Sequence, residues 1–238
     1  MSYDSGGRWT ARTAMPQVDI DVGLRQYMLR VYNYMAGGLA LTGLVAYFAA
    51  ASGFYQSIYG TPLFWVVLLA PLGMVLVLSF GIQRMSLGAA QLSFWVYAAL
   101  VGLSLAGIFL VYTQASIARV FFITAGTFAA MSLYGYTTRT DLARFGSFLL
   151  MGLIGIILAS LVNIFIGSTA IQFAISVIGV IVFVGLTAWD TQQIKEMYLE
   201  SDGDVVAGKK AIMGALRLYL DFINLFVMLM QLMGQRRD

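Results

Sequence analysis

The sequence predicts an all-α integral membrane protein with seven transmembrane helices, and three observations carry that reading. Of 238 residues, 60% are hydrophobic and 11% charged, whereas soluble domains carry about 25% charged residues. No Asp, Glu, Lys or Arg occurs in 31–83, 85–118, 120–138 or 145–189, runs of 53, 34, 19 and 45 residues. A helix needs about 20 apolar residues to cross a bilayer. Turn signals divide these runs into spans at 31–52, 62–83, 90–112, 116–136, 145–166, 170–192 and 211–234.

The breaks have local causes. Ser52-Gly53 and Gly60-Thr61-Pro62 punctuate the first connection, and Gly167-Ser168-Thr169 the one between the fifth and sixth spans. Residues 1–30 read as a polar cytoplasmic tail, 31–234 as one transmembrane domain and 235–238 as a short C-terminal tail. The tail lacks the apolar stretch of a cleaved signal peptide. Arg25, Tyr27 and Arg30 anchor it at the interface. Glycine is abundant, at 25 residues, and suits close helix packing, for example Gly126 with Ala130 and Gly152 with Gly155.

Basic residues set the orientation. With a cytoplasmic N-terminus, ten Lys and Arg fall inside, and Arg119, Arg236 and Arg237 fall outside. Arg236 and Arg237 run against the bias. A re-entrant last segment would return them inside, but seven full spans is the reading kept.

Absences narrow the chemistry. There is no Cys and no His, which excludes disulfides, thiolate catalysis, Cys/His metal sites and imidazole mechanisms, among them the Ser-His pair of rhomboid-type proteases. Any pH sensing falls to carboxylates. The basic excess of 14 against 11 reads as topology rather than nucleic-acid binding.

Few ionisable residues lie at membrane depth: Arg217 and Asp221 in the seventh span, and Asp190 at the end of the sixth. Each costs about 2.5–3.5 kcal/mol on insertion scales, so each needs a partner or a wet cavity. Asp221 lies ten residues past Ala211, roughly 15 Å along the helix. Arg217, Asp221, Asn224 and Met228 follow steps of four, three and four, with Gln231 three further on, so they share one face. A polar stripe on an otherwise apolar helix faces inward, which makes the seventh helix central. Asp221 has Arg217 at i−4 as an ion-pair partner. Asp190 is read either as an interfacial group with Thr187 one turn earlier, or as half of a pair with Asp221. Two carboxylates sharing a site cannot both ionise cheaply and titrate as a unit, a pH switch that needs no histidine.

VFVGLTAWDTQQIKE at 182–196 and LRLYLDFINLF at 216–226 resemble signature segments of the Bax inhibitor-1 (transmembrane BAX inhibitor motif) family. The likeness is closest to its bacterial YbhL/YccA-like branch. MSLYGYTTRTDLARFG at 131–146 and LVNIF at 161–165 resemble the same branch, from about Leu24 to the end. The resemblance implies two inverted three-helix layers around a central C-terminal helix. It also implies a pH-sensitive calcium leak of the bacterial inner membrane, gated by an aspartate pair that matches Asp190 and Asp221. A basic latch at the end of the second helix maps nearest to Arg84. Two departures stand out: 71–79 holds no carboxylate, and Arg217 stands where a small hydroxyl residue is expected, placed to keep Asp221 charged and repel a cation.

The leading expectation is therefore a calcium or cation leak without cofactor, in which Asp190 and Asp221 sense pH and offer oxygen ligands to the passing ion. Asn224 and Thr187 line the path, and Arg84 and Arg217 act as latch or ion-pair partners. Glu196, Glu200, Asp202 and Asp204 read chiefly as a solvated loop. An alternative is a modulator of a membrane-bound quality-control protease, touching it through Ser2 to Gln26. An intramembrane aspartyl protease is less favoured: Leu218-Tyr219-Leu220 precedes Asp221 where those enzymes carry Gly-x-Gly, and no Pro-Ala-Leu element follows. Retinal binding fails for want of a lysine in the seventh span.

Overall fold

The computed structural model describes residues 17–237, with side chains from Val22 onward. The chain forms eight helices: α1 (Gln17–Ala51), α2 (Phe54–Ile58), α3 (Pro62–Gly81), α4 (Leu87–Val111), α5 (Gln114–Thr137), α6 (Ala143–Ile166), α7 (Thr169–Glu196) and α8 (Asp204–Met233). All but α2 are long and apolar enough to span a bilayer. Hydroxyl caps start three of them: Ser86 Oγ accepts from the Ala89 amide, Thr113 Oγ1 from Ser116 and Ser168 Oγ from Ile171. Gly53 and Gly167 take left-handed backbone, φ 77° and 66°, where any side chain would be strained.

Three expectations change. The tail expected over 1–30 is shorter, because α1 begins at Gln17, immediately after Pro16, and carries Arg25 and Arg30 within the helix. Tyr27 and Met28 are buried, with Tyr27 stacked on Tyr198 at 5.6 Å, so tertiary packing extends α1 past its apolar run. The part of the proposed Ser2–Gln26 contact that precedes Gln17 lies outside the described residues. The last helix starts at Asp204 rather than 211. Its first turns are pinned by Lys210, whose ammonium donates to the Met197 carbonyl at 2.9 Å and pairs with Asp202. That pairing also removes Asp202 from the solvated acidic loop.

The seventh span crosses completely. At its start, Lys209 Nζ donates to the Gln83 carbonyl in the α3–α4 connection. At its end, Thr113 N donates to Gln235 O and Arg237 N to Val111 O, so the C-terminal residues zip onto the α4–α5 connection on the opposite side. The re-entrant alternative therefore falls, and Arg236 and Arg237 stay on the side away from the α3–α4 loop.

Helix packing falls into two matching layers. In the first, α4 packs on both α1 and α3; in the second, α7 packs on both α5 and α6. An odd number of crossings separates the layers, so they are inverted relative to one another. Helices α1, α4, α5 and α7 surround α8, whereas α3 and α6 reach the bundle chiefly through α4 and α7. Burial follows: 61% of the most apolar stretch of α8 is buried, against 11% for α3 and 17% for α6. The last helix is central, as expected, but its polar stripe is not its inward face: Arg217 and Gln231 are exposed, Asn224 and Met228 half-buried, and only Asp221 is buried.

Glycines carry the closest crossings, and of the positions the spacing suggested Gly152 is one: a Cβ there would lie 2.9 Å from Val182 Cγ2 of α7. A Cβ at Gly126 or Gly155 would meet nothing within 4 Å. The tight points are Gly102 of α4 against the Thr42 carbonyl of α1, and Gly135 of α5 against the Ala188 carbonyl of α7. Each crossing joins the first and third helices of its layer, with the glycine on the third helix in one and on the first in the other.

Thr42 also ties the first layer to α8. Its hydroxyl donates to the Ala98 carbonyl at 2.8 Å, so the Tyr219 hydroxyl, 2.6 Å away, must donate to Thr42 Oγ1. Tyr219 is fully buried. Thr42→Val keeps the shape and orphans the phenol. It should cost about 1–3 kcal/mol, read as a lower midpoint in detergent thermal unfolding, while Tyr219→Phe made in addition should recover part of the loss.

Candidate functional site

The site is built where α7 and α8 run antiparallel at the centre of the bundle. Position 190 falls on the α8-facing side of α7, and Arg217, Asp221 and Asn224 fall on one side of α8 by helical spacing. Asp190 and Asp221 line a common cavity there. Asp221 is 4% exposed and its Oδ2 has no hydrogen-bond partner. That is an unusual position for a carboxyl at membrane depth, where polar groups ordinarily find partners.

Arg217 behaves differently from the expectation of an i−4 pair with Asp221. Its Nη1 lies 3.8 Å from Asp190 Oδ1, reaching across to the facing helix. The Arg217 side chain is 43% exposed and that of Asp190 13%. The two carboxyls differ in burial: Asp221 is buried, whereas the Asp190 side chain is partly open, as the guanidinium is. The distance makes this a charge contact rather than a hydrogen bond.

Both carboxylates, Arg217 and Asn224 line one cavity of about 710 Å³ between α6, α7 and α8. It exists because α6 leans on α7 and leaves a gap to α8. Asn224 donates its amide to the Leu220 carbonyl at 2.8 Å, which leaves the amide oxygen as an acceptor. The wall on the α6 side is apolar, with Leu153, Ile157 and Leu161. Past Met228, which sits on Gly179, Gln231 accepts from both Gln172 and Ser176 at 2.7 Å, and the polar stripe ends there.

Two expected members are not brought to the cavity. Thr187 is fully buried and donates to the Phe183 carbonyl at 2.8 Å; it does not line the cavity. Arg84 is exposed in the turn after α3 and forms no ion pair among the described residues. Arg217 is the cation beside the carboxylates instead. No group of three or more acidic, His or Cys side chains gathers among the described residues.

Sequence reasoning missed Trp189 and Gln192. Trp189 lines the same cavity and lies over Gly146 of α6, where a Cβ would come within 2.2 Å of the indole. Gln192 clamps the α5–α6 connection, accepting from Leu142 N at 2.8 Å and donating to Thr140 O at 2.9 Å. A glutamine directly after an apolar span was the available signal.

The same segments decide kinship. A family model described as inhibitor of apoptosis-promoting Bax1 matches residues 24–238. The chain belongs to the Bax inhibitor-1 family. It is 51% identical to inner membrane protein YbhL of Escherichia coli strain K12, over 90% of this chain and 94% of that protein. It is also 51% identical to protein RP147 of Rickettsia prowazekii, over 96% and 98% of the two chains. Membrane protein SpyM3_0260 of Streptococcus pyogenes is 36% identical over 90% and 95%. For this Bax inhibitor-1 protein, the likeness covers all seven spans and both aspartate helices.

Proposed function

We propose that this protein is a pH-gated leak for calcium or a related cation in the bacterial inner membrane, with its N-terminus in the cytoplasm. The observation that carries the reading is the buried, partnerless oxygen of Asp221, set against Asp190 on a cavity at the centre of the bundle. With a proton shared between them, the two carboxyls hold α7 to α8. Without it they repel, and they present oxygen ligands of the kind calcium prefers.

An enzymatic role is not favoured. Leu218 and Tyr219, just before Asp221, are fully buried, so an extended substrate backbone has no room to approach the carboxyl from that side.

Calcium flux into proteoliposomes across pH tests the mechanism. Wild type should show pH-dependent flux, and Asp190→Asn and Asp221→Asn should each flatten the profile. A profile unchanged in both variants sinks the proposal.

Orientation has a separate test, helped by the absence of native cysteine. A cysteine placed at Glu200 should react with an impermeant maleimide only from the cytoplasmic side. One at Arg236 should react only from outside. The reverse labelling overturns the assigned orientation.

A further inference from the structure

Helices α1 and α5, the first members of the two layers, make little contact with each other. Their separation leaves a groove of about 650 Å³, floored by Phe222 of α8 and walled by Met28, Met35, Ala125, Phe128 and Ala129. That volume lies in the ~300–1,000 Å³ range of small-molecule sites. The groove opens sideways, since Leu29, Leu133 and Ala129 on its edges are exposed on faces that meet the bilayer.

Its interior asks for no water. The two hydroxyls on the wall satisfy each other: Tyr32 OH lies 2.6 Å from Ser132 Oγ, which lies 3.0 Å from Thr191 Oγ1, and Thr191 donates to the Thr187 carbonyl. The proton order is therefore Tyr32 to Ser132 to Thr191 to backbone, with each hydroxyl donating once. What remains is a greasy trough at the depth of lipid tails.

One end of the trough carries Arg25 on its wall, with Lys195 just beyond the lining, against Tyr136. The Lys195 ammonium lies 2.9 Å from the Tyr136 carbonyl and 5.3 Å from the centroid of its ring, with two N–H groups beyond that bond. This end belongs to the half of the bundle that carries the α3–α4 and α5–α6 connections. Basic clefts between transmembrane helices at such a rim recognise anionic headgroups.

We propose that the α1–α5 groove is a binding site for one anionic phospholipid, with an acyl chain laid along Phe128 and Phe222 and the phosphate held at Arg25 and Lys195. The charge at the mouth and the apolar trough below it match the two halves of such a molecule. The site is separate from the aspartate cavity, which lies on the α6 side of α8.

Native mass spectrometry of the full chain, taken from mixed phosphatidylglycerol–phosphatidylcholine nanodiscs into detergent, tests this. Wild type should retain one phosphatidylglycerol, preferred about tenfold over phosphatidylcholine. Ala129→Phe and Ala125→Phe, which fill the trough from α5, should each lose the retained lipid. Ala130→Phe, of equal bulk on an exposed position outside the groove, should keep it. Arg25→Gln combined with Lys195→Gln should retain a lipid but show no headgroup preference. Thermal unfolding of each variant separates lost binding from lost folding. Equal retention of the two lipids by wild type, or undiminished retention by folded Ala129→Phe and Ala125→Phe, overturns the proposal.

Discussion

Exchanging Arg217 for serine should raise calcium flux at neutral pH by about tenfold, while Arg217→Lys should leave it low. The guanidinium stands at the rim of the cavity that holds both aspartates, 3.8 Å from Asp190. In the proposed leak, a divalent cation approaching the pair meets this positive charge. In a fully dry site such repulsion would be very large, but Arg217 is nearly half exposed. Solvent screening reduces the effect to roughly 1.4 kcal/mol, a factor of about ten. Arg217 also compensates Asp190, so its removal leaves a partly buried carboxylate free to bind a cation instead. Both effects have the same sign. Proteoliposome flux measured at one pH, with Arg217→Ser and Arg217→Lys side by side, distinguishes charge from packing. Equal flux in the two variants would show that the charge is irrelevant to passage.

The largest effect on stability is expected from Gly135→Ala. A Cβ there would lie 2.1 Å from the Ala188 carbonyl oxygen and 2.9 Å from its carbon, all backbone atoms. No side chain can swing away, so α5 and α7 must separate by about 1 Å or more. Overpacking of this kind costs about 1–3 kcal/mol. The strain adds to the loss of the Ser132–Thr191 contact at 3.0 Å, about one turn before the glycine on α5, worth about 1 kcal/mol when buried. A sum of roughly 2–4 kcal/mol should appear as a markedly lower unfolding midpoint in detergent. Gly126→Ala on the same helix meets nothing within 4 Å and should leave the midpoint undiminished or slightly raised. Gains in helix propensity apply to both variants alike, so the difference between them isolates the crossing. A matching loss in the two proteins would refute the close approach.

Spans and boundaries were legible because hydrocarbon imposes a simple rule: long charge-free runs must be helices. The helices from α3 to α7 begin and end within about four residues of the expected spans, which is the usual precision of such boundaries. The errors lie at α1 and α8, where the chain leaves the apolar run and tertiary contacts take over. Tyr27 stacks on Tyr198, and Lys210 is tied to Met197 and Asp202. Hydropathy does not register such contacts. The glycine expectations held at Gly152, which packs on Val182, and failed at Gly126 and Gly155 for a similar reason. Gly126 and Gly135 look alike along the chain, and only the crossing of α5 over α7 distinguishes them.

For the site, the scarcity of charge was decisive by itself. In a chain without histidine or cysteine and with nine of its eleven acidic residues outside the expected spans, Asp190 and Asp221 stand out before any fold is known. The 3.6-residue period puts Arg217 and Asn224 on the face of Asp221. That much is arithmetic on one helix. Which groups meet across helices was decided by the tertiary structure. It pairs Arg217 with Asp190 instead of Asp221, leaves Arg84 in an outer turn and seals Thr187 within α7's own hydrogen bonding. It also opens a cavity because α6 leans away from α8. The physical reason is that intrahelical spacing is set by the backbone and can be counted, whereas distances between helices depend on how side chains of two separate segments interlock.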